Sequence, residues 1–360
     1  MTRTLWSWGR SDDCFDPRRV LAYDSEFVRE RHYYPKLSLV QIADGSGQAR
    51  LYDATQPGHE RAPPWDALLH HSAPLIMHAG SQDLEMIRLY GHQLPRSIRD
   101  TQLGFAFLSP ERTISLSALI QHYLDFTPNK SQTRSDWLQR PLDEAQLDYA
   151  ANDVGLLLRI YPLLVADLQQ AGRLAWWAEE CARLLQQDES DETPFAWYHL
   201  RFAPQLKGQA IIIADILTRA REAVAQACDK PRRTILPDKV LLDLALADID
   251  SIEALAEWLP TEHPLWHALP QLDHAFSNLS SYSPEPIPRA QRLNMLQQKF
   301  CQRLQKAICK LASELNVHPN LIISPRKLRQ WCSENRYDRG LLREGWRGEC
   351  LNRVIDTLAP

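Results

Sequence analysis

The chain has 360 residues, 44% of them hydrophobic and 24% charged, a composition typical of globular proteins, and its length asks for two or three domains. No stretch approaches the roughly 18 consecutive apolar residues needed to cross a bilayer, so no membrane partner is expected. The first thirteen residues lack the apolar run of a secretory leader, so a cytoplasmic location is expected. Seven cysteines are scattered without a CxxC pair, which argues against a disulfide framework or a zinc site and for reduced thiols, mostly in helices. The net charge is −4, but residues 290–360 hold 13 Lys and Arg against 6 Asp and Glu, a local +7. Such asymmetry fits either polyanion binding by the basic part or a solvated helical surface.

In chain order, apolar alternation over Arg19–Phe27, Leu37–Ala43 and Gln48–Tyr52 predicts three strands in meander order. They are divided by the turn signals Tyr34-Pro35 and Asp44-Gly45-Ser46-Gly47. Pro74–His78 predicts a fourth, short buried strand, and the spacing after Ser81 predicts a helix up to Gly91. Helices follow over Thr101–Leu108 and Ser115–Tyr123, then one long periodic run from about Asp143 to Gln187. The first domain is therefore expected to be α/β. The acidic stretch Gln186–Pro194 marks a boundary. Beyond it the chain reads as helix over Leu206–Cys228, Pro237–Ala247 and Ser251–Trp258. After the proline-rich Ser280–Pro288, helices are expected over Arg289–Leu315, Ser324–Trp331 and Glu344–Leu358. The expected layout is an α/β domain at residues 1–192 and two small all-helical domains at 200–283 and 289–360.

Three places carry chemistry. In Val20–Phe27 an apolar strand ends in Asp24 and Glu26, which a period of two puts on one face. Two such acids repel each other unless cations sit between them, although a solvated strand end would carry the same residues. In Ile76–Leu84 a strand passes through Gly80 and Ser81 into a helix whose first turn holds Asp83; an acid there also simply complements the helix dipole. In Gln146–Val154, Tyr149 and Asp153 lie one turn apart on one helical face, where a metal-ligating carboxylate and a phenol that bonds the activated water would be stacked, although a packed Tyr149 and a solvated Asp153 would show the same spacing. Oxygen donors without histidine or cysteine suit Mg²⁺ or Mn²⁺. Two such ions support in-line displacement at phosphorus, so phosphodiester hydrolysis is the expected reaction.

At these places the sequence resembles the tyrosine-bearing branch of the DEDD exonucleases, and within it the ribonuclease D family. The resemblance rests on Asp24-Ser25-Glu26-Phe27-Val28-Arg29 with Tyr33-Tyr34-Pro35, on His78 through Glu85, and on Lys130-Ser131 through Trp137 and Arg140-Pro141-Leu142 to Tyr149–Val154. Order and spacing agree over roughly residues 18–165. The resemblance implies a ribonuclease-H-like exonuclease domain with a mixed sheet. It also implies two divalent ions (Mg²⁺ or Mn²⁺) on Asp24, Glu26, Asp83 and Asp153, with Tyr149 orienting the water. The implied activity is 3′-to-5′ trimming of RNA with a single-stranded 3′ end, chiefly transfer RNA precursors, with release of nucleoside 5′-monophosphates; the chain is expected to act as a monomer. Lys130, Arg134 and Arg140 are expected at substrate phosphates, although Arg140-Pro141-Leu142 would equally start the helix. The remainder resembles two HRDC modules. The first rests on Leu206-Lys207-Gly208, Arg221-Glu222 and Lys230-Pro231-Arg232-Arg233, with Ala220 where that pattern carries a tryptophan. The second rests on Gly345-Trp346-Arg347, whose Trp346 and Arg347 would stack on unpaired bases.

Overall fold

The computed structural model describes residues 4–55, 58–128, 132, 135–186, 196–247, 249–286, 293–333 and 345–358. Contacts divide the chain into two compact units, one of residues 1–27, 37–187 and 290–360, the other of 28–36 and 188–289.

The first unit is built on a six-stranded sheet in the order β1-β4-β3-β2-β5-β6. Its strands are β1 (Leu5–Trp8), β2 (Leu21–Val28), β3 (Lys36–Ala43), β4 (Gln48–Asp53), β5 (Leu75–Met77) and β6 (Ile98–Asp100). β3 and β4 are antiparallel, while β1 with β4, β2 with β5 and β5 with β6 are parallel, so the sheet is mixed. The β3–β4 turn follows from Asp44-Gly45-Ser46-Gly47: both glycines adopt positive φ, and the Asp44 carboxylate accepts from the Ser46 amide at 3.0 Å.

The helices of this unit begin with α1 (Trp65–Leu69), α2 (Ser81–Gly91), α3 (Thr101–Ala106) and α4 (Leu116–Leu124). The expected single run from Asp143 to Gln187 is two helices, α5 (Glu144–Gln170) and α6 (Leu174–Gln186), parted at Gly172 with φ of 68°. A residue in that left-handed conformation ends a helix rather than continuing it. α5 starts with a capping box in which the Asp143 side chain accepts from the Gln146 amide and the Gln146 side chain from the Asp143 amide. Its buried face packs on β1, β4 and β5.

Between α6 and the terminal helices lie those of the second unit: α7 (Gln209–Ala227), α8 (Arg232–Ile235), α9 (Asp238–Leu246), α10 (Ile252–Trp258) and α11 (Leu269–Ser277). α7 is its core helix, with Ile213, Leu217, Ala220 and Val224 buried against residues that include Leu241, Leu244, Leu265 and Leu272. The terminal helices α12 (Met295–Glu314), α13 (Pro319–Ile322), α14 (Pro325–Ser333) and α15 (Gly345–Leu358) group with the sheet rather than standing apart. α15 packs on α6 and α12. All seven cysteines are free thiols. Among the described residues no helix is long and apolar enough to cross a membrane.

Candidate active site

β2 runs from the buried Leu21, Ala22 and Tyr23 to half-buried Asp24 and Glu26. α5 brings Asp153 to them, and a carboxylate oxygen of each of Asp24, Glu26 and Asp153 lies within 4.8 Å of the other two. The helix is aimed by neighbouring positions on the same two turns. Asp148 accepts from the Trp6 indole N–H at 2.9 Å and Asn152 from the Thr4 amide at 3.1 Å. Gly155 lets the helix come close, since a Cβ there would collide with Thr4. One side of α5 is thus fastened around β1 while the Tyr149–Asp153 pair, one residue further on, meets the acids. Tyr149 bonds the Asp153 carboxylate and packs at 6.1 Å from the Trp137 ring.

Asp83 enters from the first turn of α2, buried, and accepts from Ser25 Oγ at 2.5 Å. It stands just outside the trio. The turn that delivers it is held by Asp100, whose carboxylate accepts from the amides of Ala79 (3.2 Å) and Gly80 (2.9 Å). The same carboxylate also caps α3 through the Gln102 and Leu103 amides. Ala79 takes φ of 56° within this turn, a conformation that a non-glycine residue adopts only where its surroundings over-determine it. His78 is fixed between Thr101 Oγ1 and the Ile114 carbonyl, 3.0 Å from each. Asp100, Ser25 and Gln41 are functional neighbours that sequence reasoning missed. Only Asp100 left a signal there, as an acid immediately before a helical run.

The electrostatics follow from crowding. Loss of water pushes Asp24 up to about 6, opposed by the Gln41 side chain, which donates to it at 2.8 Å. Desolvation first, then the charges of Asp24, Asp153 and Asp83, raise Glu26 well above the carboxylate range. Asp83 and Asp153 are raised by burial and then by Asp24, with Tyr149 pulling Asp153 back. Four mutually repelling acids, with no basic partner among the described residues, form a site suited to cations. The donor set is all oxygen and fits Mg²⁺ or Mn²⁺.

A sequence model of 3′-5′ exonucleases matches residues 14–169, which contain all four acids and Tyr149. Ribonuclease D of Xanthomonas oryzae is 32% identical over 353 residues, covering 95% of this chain and 93% of that protein. The chain belongs to the ribonuclease D family. Ribonuclease D of Escherichia coli is 30% identical over 357 residues, covering 94% of this chain and 92% of its own. The crystal structure of E. coli RNase D superposes with a TM-score of 0.77 at 26% identity, over 94% of this chain and 92% of that one. A 3′-5′ exonuclease domain of this family implies divalent metal use.

The remaining sequence-predicted residues fare differently. Lys130 and Arg134 lie outside the described residues. Arg140 is engaged within the protein and does not start the helix, which is capped two residues beyond Pro141 by Asp143. Its guanidinium forks onto Asp53 at 2.7 and 2.9 Å. The remaining donors go to the carbonyls of Trp137, Gln139 and Ser38. Every donor of the fork is committed, so Arg140 clamps β3 and β4 to the approach to α5. Arg140→Ala is expected to cost about 2–3 kcal/mol of stability, seen as an earlier melting transition, with KM unchanged. A raised KM at unaltered stability would return Arg140 to the substrate.

Trp346 and Arg347 are also corrected. Trp346 is 1% exposed, stacked on Trp176 at 5.2 Å, with its indole N–H donating to Glu180 at 2.7 Å. Arg347 bonds the same Glu180 and donates to the Leu321 and Ile322 carbonyls at 3.1 Å. Both join α15 to α6 and α13, with the Trp346 ring buried and the Arg347 guanidinium lying over it, 4.6 Å from the ring centroid.

Proposed function

We propose that this enzyme, a 3′-5′ exoribonuclease, removes single nucleotides from RNA with a single-stranded 3′ end. In this reading Asp24, Glu26, Asp83 and Asp153 hold two divalent cations, and Tyr149 orients the attacking water. The observation that carries it is the convergence of Asp24, Glu26 and Asp153 from a strand and a helix far apart in sequence. Two divalent cations would match the charge of four carboxylates and would stabilise the attacking and leaving oxygens of an in-line displacement. Asp24 and Glu26, on one strand, set the spacing of the metal ligands. Tyr149 accepts no charge itself: its hydroxyl, bonded to Asp153, keeps the water in line with the phosphorus. Transfer RNA precursors are the proposed substrates, supported by the E. coli relative, which is described as an exoribonuclease involved in structured RNA processing.

The test is digestion of 5′-labelled single-stranded RNA in Mg²⁺, Mn²⁺ and EDTA, with a matching DNA and a transfer RNA carrying a 3′ extension. The expected result is a metal-dependent ladder of progressively shorter RNA and nucleoside 5′-monophosphate as product. Endonucleolytic fragments, or cleavage indifferent to EDTA, would overturn the reading, and equal cleavage of DNA would remove the preference for RNA.

A further inference from the structure

The segment Val28–Lys36 leaves the strand that carries Asp24 and Glu26, yet by its contacts it belongs to the helical unit. It is held there by residues from two sequence motifs to which the chemistry above gives no role. The Tyr33 hydroxyl donates to Glu222 and accepts from Gln226 Nε2 at 2.9 Å. Arg232 closes the group, bonding Glu222 and lying over the Tyr33 ring, 5.3 Å from its centroid. Asp229, in a left-handed turn with φ of 49°, accepts from the Tyr34 amide at 3.0 Å and from Lys36 Nζ at 2.7 Å, and pairs with His32 at 3.1 Å.

The product of this scaffolding is Tyr34. The residue is 42% exposed and its ring stands edge-on to Tyr33 at 4.8 Å. A lone exposed ring is ordinary on a protein surface. This one differs in being fixed from behind by Tyr33 and along its backbone by Asp229, so little freedom is left to lose when a flat partner lands on it. The exposed Arg29 and Arg31 precede it on the same segment. A rigid aromatic face on a segment that also carries exposed arginines, continuing from the carboxylate strand, has the composition of a single-stranded nucleic-acid contact, with bases on the ring.

We propose that Tyr34 is a stacking platform for a base of the RNA substrate and that the Tyr33–Glu222–Arg232 and Asp229 contacts are its positioning residues. The inference rests on the exoribonuclease reading above. Because stacking acts on substrate seating, Tyr34→Ala is expected to raise KM for single-stranded RNA by roughly 5- to 150-fold, the worth of one base–aromatic stack. kcat should stay within about twofold, and Tyr34→Phe, which keeps the ring, should behave as the parent enzyme. An RNA with one abasic nucleotide gives a second readout. The parent enzyme should pause when the gap reaches the platform, and Tyr34→Ala should not. An unchanged KM in Tyr34→Ala, a fall in kcat at constant KM, or a Tyr34→Phe enzyme as impaired as Tyr34→Ala would overturn the proposal while leaving the exoribonuclease reading intact. A parent enzyme that does not shorten RNA would overturn both.

Discussion

Glu26→Gln is expected to cut kcat by roughly 10³-fold or more and, in the same protein, to raise the melting temperature measured in EDTA. The first effect follows from losing a metal ligand: a catalytic cation contributes several kcal/mol of transition-state charge stabilisation, and each ~1.4 kcal/mol is tenfold in rate. The second follows from the neighbourhood. Glu26 is desolvated and faces the charges of Asp24, Asp153 and Asp83, so the neutral isostere relieves repulsion that only cations otherwise relieve. Glu26 is the better test than Asp24, because Asp24 accepts from Gln41 and its loss would leave that buried amide unpaired. Single-turnover cleavage and thermal unfolding of one preparation decide the matter. An unimpaired rate would remove Glu26 from the metal site, and a lowered melting temperature would make it a structural acid.

The acids were legible from sequence because each sits on an element long enough to have a period. β2 supplies eight residues and α5 twenty-seven, so Asp24 with Glu26 and Tyr149 with Asp153 fall on common faces whatever the tertiary fold. β1 and β6 escaped for the opposite reason. They have four and three residues, too few for alternation to show, and β1 is an edge strand whose first residue, Leu5, is 67% exposed. The basic residues misled because a side chain's partner is a tertiary fact. Arg140 near the active-site motif and Trp346-Arg347 in a positively charged tail have the composition of nucleic-acid contacts. Only the placement of Asp53 and Glu180 turns them inward. Tyr33-Tyr34 illustrates the same limit from the other direction: its neighbours Glu222 and Asp229 lie nearly two hundred positions away.

In the absence of metal the protein is expected to lose stability as pH rises from about 4 to beyond 6, and added Mn²⁺ is expected to reverse that loss at pH 7.5. A carboxyl whose folded pKa exceeds its unfolded value, near 4, contributes fully below the unfolded pKa and loses that contribution as pH climbs through the folded one. Asp24, at about 6, is such a group, and Glu26, Asp83 and Asp153 shift in the same direction. Asp24 alone represents on the order of 2–3 kcal/mol; the four share their repulsion, so their contributions do not add. Asp53 and Asp229 run the other way. Burial works to raise both, but Arg140 and Thr55 for the first, and Lys36, the Tyr34 amide and His32 for the second, hold each at about 2. Their contribution is present above pH 4 and is lost only as pH falls towards 2, so the two windows do not overlap. Metal binding requires the carboxylates ionised, so metal affinity, and with it the cleavage rate, should fall as pH drops through about 6. Melting temperatures at pH 5 and 7.5, each in EDTA and in Mn²⁺, separate the effects. A metal-free melting temperature that stays level between those pH values would mean the four acids do not crowd one another. A Mn²⁺ shift as large at pH 5 as at 7.5 would mean the cation binds elsewhere.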